Sequence, residues 1–93
     1  VINEFVSLKE IAKYEPDMRR LGVSLVARSP RGFLTYYKKI GGHPWKMSAE
    51  WHAKRNAFIA RHLVQYNEKP TYRRFLALMA WAYKPKKRPP SPQ

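Results

Sequence analysis

Residues 48–66 (SAEWHAKRNAFIARHLVQY) carry the longest uninterrupted helical pattern in the chain. Ser48 is the expected N-cap, with Glu50 in the first turn. Trp51, Phe58, Ile59, Leu63 and Tyr66 form its apolar side, and Lys54, Arg55 and Arg61 its charged side. A helix patterned this way turns its apolar stripe to a core and leaves its cations outside. The remaining elements must therefore supply a surface that closes over this helix.

Local signals place those elements. Ser7-Leu-Lys-Glu10 reads as a capping box, with Ile2, Phe5 and Val6 ahead of it and a short helix over 8–14. Pro16 opens a second short helix, 16–21, that Gly22 closes. Residues 23–27 (VSLVA) have β-branched residues but no partner strand, so they read as irregular chain or a helical turn. Ser29-Pro30 is a helix start, predicting a helix over 30–40 that carries Phe33, Leu34, Tyr36, Tyr37 and Ile40. Residues 41–47 (GGHPWKM) read as a loop, in which Trp45 either plugs the core or stands exposed. Thr71 caps a last helix, 72–83, that is apolar on most of its circumference. Such a helix is central in the core or contacts a second protein. Residues 84–93 (KPKKRPPSPQ) have four cations and four prolines and nothing to bury, which predicts an extended, mobile tail. The fold class is all-α: a small orthogonal bundle of four to five helices over residues 1–83, followed by the tail.

Charge narrows the function more than any motif does. Nineteen Lys and Arg against six Asp and Glu give a formal net charge of +13 in 93 residues. An imbalance of this size attracts polyanions, nucleic acid first and anionic membrane next. It is unevenly placed. Residues 1–17 hold four acids and two bases, and the rest of the chain holds seventeen bases and two acids. The acidic N-terminal segment is therefore a candidate partner for the basic body within the same chain.

The cations that could hold phosphates are Lys38 and Lys39, Lys46, Lys54, Arg55 and Arg61, then Arg73 and Arg74, and Lys84, Lys86, Lys87 and Arg88 in the tail. Phosphate contacts position a protein without reading sequence. Aromatic residues interleave with them: Tyr36 and Tyr37 beside Lys38, Trp45 beside Lys46, Tyr72 beside Arg73. Rings next to cations suit stacking on unpaired bases.

Other chemistries find no support. The chain has no phosphate-binding glycine loop, no G-x-S-x-G and no H-E-x-x-H. Without cysteine it has neither a disulfide framework nor a cysteine-based metal site. His52 and His62 lie about two and three-quarter helical turns apart, too far to share a metal, and His43 is in the loop. Carboxylates are too few and too local for an acid–base pair. No catalytic residue, metal or cofactor is expected. The longest apolar run, residues 75–83, has nine residues, against about 20 needed to span a bilayer. No secretory signal is visible, so the expected place is the cytoplasm or the interior of a virion or nucleoprotein particle. A helix-turn-helix over residues 8–24 fails on its spacing and on Pro16.

Residues 27–34 (ARSPRGFL), 37–42 (YKKIGG), 55–62 (RNAFIARH) and 70–83 (PTYRRFLALMAWAY) resemble small basic proteins of tailed-phage genomes. The likeness spans residues 27–83. It departs from that group's pattern at residues 66–69, where a glutamine-containing linker and a longer insertion before Pro70 would be expected. The resemblance implies a compact basic accessory protein and no particular activity. The expected function is non-catalytic nucleic-acid binding, DNA or RNA, mainly through the phosphate backbone. The alternative is a structural subunit of a phage virion or ribosome-like particle, held to protein partners by the apolar last helix and the basic tail. An inhibitor of an acidic protein would follow the same charge logic.

Overall fold

The computed structural model describes residues 4–87, which form an all-α chain. The helices are α1 (Leu8–Leu21), α2 (Leu25–Arg28), α3 (Phe33–Lys39), α4 (Ala49–Glu68) and α5 (Tyr72–Met79), with a 3-10 turn at Pro44–Lys46. No strand occurs among the described residues. Helix α5 packs against both α1 and α4, and α2 against α3.

Three of the expected caps form. Ser7, Ser48 and Thr71 each accept a hydrogen bond from the backbone amide three residues on, from Glu10, Trp51 and Arg74. Each side-chain oxygen satisfies one of the amides a helix leaves unpaired at its start. Gly22 ends α1 at φ 66°, and the amide of Val23 reaches back to the Met18 carbonyl at 2.9 Å, the αL stop that glycine favours.

Several boundaries differ from the sequence expectation, and α4 itself runs two residues past Tyr66 to Glu68. The two short helices expected at 8–14 and 16–21 are one helix of 14 residues that contains Pro16. Proline removes the bond to the Ala12 carbonyl, and both residues lie on the exposed side of α1, where water can take that role. Ser29-Pro30 starts a turn, not a helix. The Ser29 carbonyl is taken by the Gly32 amide at 2.9 Å and the Thr35 hydroxyl at 2.6 Å, so α3 begins at Phe33. Within residues 41–47, Pro44–Lys46 form one 3-10 turn after Gly41 and Gly42, both at positive φ. The last helix stops at Met79. Ala82 adopts φ 59°, and the Tyr83 amide closes on the Leu78 carbonyl at 3.1 Å.

The tail divides. Residues 84–87 lie against the body: Pro85 is buried, and the Tyr66 hydroxyl donates to the Lys87 carbonyl at 2.7 Å. These contacts give residues 84–87 something to bury and to bind, which the composition of the tail did not indicate. Arg88 and the remaining tail residues lie outside the described chain, as does Ile2.

Phe33, Leu34, Tyr37, Ile59, Tyr66, Phe75, Leu76, Leu78 and Met79 are buried at the centre. Each such side chain contributes about 1.5–3 kcal/mol. Trp81 stacks between Phe33 at 4.9 Å and Phe58 at 4.4 Å, joining α3, α4 and the end of α5. The apolar excess of α5 is thus taken up inside the chain, the first of the two options its pattern left open.

Candidate nucleic-acid interface

Of the twelve cations named from the sequence, the eleven among the described residues do not converge on one surface. Arg55 is overturned as a phosphate ligand, because it is 0% exposed. Its Nε donates to the Trp81 carbonyl at 2.8 Å and its Nη2 to the carbonyls of Ala82, at 2.8 Å, and Glu4. The guanidinium lies over the Phe5 ring, 3.8 Å from its centroid. Burial pushes it down to about 10, with Tyr37 and Glu4 opposing the shift, so it stays charged at neutral pH. The chain carried a signal for this. Arg55 lies four residues from both Trp51 and Ile59, and so falls on the inward face of α4.

A second set caps helix ends. Arg73 donates to the Leu21 carbonyl at 2.9 Å, at the end of α1. Arg74 donates to the carbonyls of Gln65 and Lys69 at 3.1 and 2.8 Å, and Lys87 to that of Asn67 at 3.1 Å, all at the end of α4. The last carbonyls of a helix have no partners within it, and cations there also meet the negative end of its dipole.

A third set meets the acids of α1. Lys38 pairs with Glu15 at 2.7 Å and Lys84 with Glu10 at 3.3 Å. The acidic N-terminal segment therefore does lie against the basic body.

The side chains of Lys39, Lys46, Arg61 and Lys86 make no ion pair or hydrogen bond among the described residues. Lys54 pairs with Glu50 at 3.2 Å in an exposed i, i+4 contact, of a kind worth under about 1 kcal/mol. Lys39 and Lys46 line one open concavity of about 590 Å³ with Tyr36, Ile40, Gly41 and His43. Tyr36 fixes its floor: its hydroxyl accepts from the Ser48 amide at 2.9 Å, and its ring stacks on Trp51 at 5.0 Å. Lys54 sits over the other ring of that pair, 4.8 Å from the Trp51 centroid. Arg61 follows Lys54 by two turns on the same side of α4, about 10 Å along it. Helix α4 has 20 residues, about 30 Å, so Arg74 at its far end is well removed from this corner. Lys86 and Lys87 line a separate depression with Glu4, Leu63, Asn67 and Tyr83.

Trp45, ambiguous in the sequence, stands exposed in the 3-10 turn between α3 and α4, next in the chain to Lys46, which lines the concavity. It is 76% exposed, and His43 stacks on it at 4.6 Å and 24°. Residues 8–24 hold a single helix, α1, so the second helix of a helix-turn-helix is absent from that segment. No three His, Asp or Glu side chains cluster as metal ligands among the described residues. No described helix is long and apolar enough to cross a membrane. Comparison with protein-family models, with curated proteins and with solved structures finds no match for this chain.

Proposed function

We propose that this chain is a non-catalytic nucleic-acid-binding accessory protein. It grips the phosphate backbone with Lys39 and Lys46 at the α3–α4 corner and with Lys54 and Arg61 along α4, and reads little or no sequence. The helices act as a small orthogonal bundle that presents this corner. One observation carries the reading. Most of the other named cations are used inside the fold, whereas Lys39 and Lys46 face one open concavity without an internal partner. Such lysines release counterions when they meet phosphates. The likeness of residues 27–83 to basic tailed-phage proteins fits the same role, in the cytoplasm or within a nucleoprotein particle.

Salt tests it. Four neutralised phosphates give a log–log slope of affinity against salt of about −3.6 on duplex and about −2.8 on single strands. The double variant Lys39→Gln/Lys46→Gln should lower affinity on all sequences alike and flatten that slope by about 2 on duplex. Binding insensitive to salt rules the reading out.

A structural-subunit role has its own supporting observation, different from the one the sequence suggested. Most of α5 packs within the chain, with Ala77 left half-buried at an opening. An apolar groove of about 460 Å³ instead opens between Leu25, Phe58, His62 and Trp81, and Leu25 is 65% exposed beside it. A partner covering this groove would make the isolated chain self-associate, so a stable monomer in size-exclusion chromatography counts against this role.

A further inference from the structure

We infer that the α3–α4 corner is selective for single-stranded nucleic acid, with Trp45 as the platform on which an unpaired base stacks. This rests on the phosphate-binding reading of the same corner and names its ligand class.

Three observations converge. First, Trp45 is the only tryptophan whose indole is open. Trp51 and Trp81 are each stacked within the protein, on Tyr36 and between Phe33 and Phe58. An exposed large apolar side chain is the informative kind of exposure. His43 covers one face of the Trp45 ring, and with 76% of the residue open the opposite face is free.

Second, the ring is held in place. Gly41 and Gly42 have φ of 73° and 71°, which non-glycine residues rarely adopt. A Cβ on Gly41 would lie 3.2 Å from the His43 ring, and one on Gly42 would lie 2.9 Å from Leu8. The glycine pair lets His43 fold back over the turn, Pro44 opens the 3-10 turn, and the Lys46 amide closes it on the His43 carbonyl at 2.9 Å. The backbone that carries the indole is therefore set before any ligand arrives, and His43 stacks on the ring itself, which reduces the entropy lost on binding.

Third, the charge beside the ring matches the ligand. Lys46 is the next residue, and Lys39 faces the same concavity. A nucleotide whose base lies on Trp45 would bring its phosphates to these two ammonium groups. In a duplex the base faces are already stacked on their neighbours. Only an unpaired base can use the platform, so the ring adds affinity for single strands and none for duplex.

Anisotropy titrations of labelled oligothymidylate and oligouridylate of about 15 nucleotides, and of a duplex of equal length, test this, because the stacking term exists only for unpaired bases. The proteins compared are the wild type, Trp45→Leu, Trp45→Phe and Lys39→Gln/Lys46→Gln. Trp45→Leu should lose about tenfold or more on the single strands while duplex affinity stays unchanged. Trp45→Phe should recover most of the loss, since it keeps an aromatic face. Because Trp45 is exposed, Trp45→Leu should retain the wild-type unfolding midpoint. If Trp45→Leu weakens duplex and single strand equally, or neither, the platform is overturned, while the phosphate reading survives provided the lysine variant still loses binding. If the wild type binds no oligonucleotide of either kind, both fall.

Discussion

Arg55 Nε donates to the backbone carbonyl of Trp81 at 2.8 Å, tying the middle of α4 to the chain just past α5 across 26 residues of sequence. The same guanidinium reaches Ala82 and Glu4. It therefore joins three segments at the point where the last helix stops. The Ala82 carbonyl accepts from Arg55 and also from the Val6 amide at 2.9 Å. These partners fix the backbone after Met79 in its tight turn and hold the N-terminal segment against it.

Removing that side chain should unfold the protein more readily, without acting on nucleic acid directly. Charge-assisted hydrogen bonds contribute about 1.5–3 kcal/mol each. Arg55→Met takes the side-chain donor from the carbonyls of Trp81, Glu4 and Ala82, of which Ala82 keeps the Val6 amide, and should cost about 4 kcal/mol of the 5–15 typical of a domain. Arg55→Lys keeps the charge but lacks the planar fork, and should fall between the two. Urea unfolding midpoints measure this. An Arg55→Met variant as stable as wild type but deficient in binding would return Arg55 to the interface.

Arg55 also shows where the sequence was legible and where it was not. Helix class and three side-chain caps followed from local rules, because Ser7, Ser48 and Thr71 act on amides three residues away. The core of α5 and the placement of the acidic segment on the basic body also followed, the first from periodicity and the second from charge asymmetry. What failed was long-range. The spacing of Arg55 from Trp51 and Ile59 marks it as inward-facing, but no local rule names the carbonyl 26 residues on that it meets. The early stop of α5 fails for the same reason: residues 80–83 keep helical composition, and the competing partners come from α4 and the N-terminal segment. Ser29-Pro30 misled because the same dipeptide suits a helix start and a turn, and Thr35 decided between them by binding the Ser29 carbonyl.

The pair Tyr72 and Asp17 sets both pH limits of the contact between α1 and α5. The Tyr72 hydroxyl donates to Asp17 Oδ2 at 2.5 Å. This bond, with Arg20 adding to it against a smaller effect of burial, holds the Asp17 carboxyl below its usual 3.8. Burial, then the same bond, pushes Tyr72 up to about 12. A lowered carboxyl contributes stability that is complete above its unfolded value and is lost as pH falls through the folded one. A raised phenol contributes stability that is complete below about 10 and is lost as pH climbs from about 10 toward 12. Tyr72→Phe should therefore flatten the fall in urea midpoint below about pH 4, and part of the fall above about pH 10. The alkaline effect is partial because Tyr37, Tyr66 and Tyr83 are also raised by burial. Identical acid limbs in the two proteins would show that the bond does not matter to stability.

Arg74 separates capping from ligand binding most directly. Its Nη1 donates to two carbonyls, of Gln65 and Lys69, at the end of α4, while the Arg74 amide is itself capped by Thr71. One residue thus links the end of α4 to the start of α5, with its charge at the negative end of the α4 dipole. Losing such a contact costs about 1 kcal/mol when half-exposed. Arg74→Gln should lower stability by that amount, read as a lower unfolding midpoint, and leave oligonucleotide affinity and its salt slope unchanged. Lys46→Gln should do the reverse: unchanged stability, weaker binding, and a slope flatter by about 0.9 on duplex. Measuring both quantities on both variants gives a crossed pattern if the cations divide as their partners indicate. Equal losses of affinity in the two would mean that the far end of α4 also meets the ligand, and that the phosphate path runs the length of the helix past Arg61.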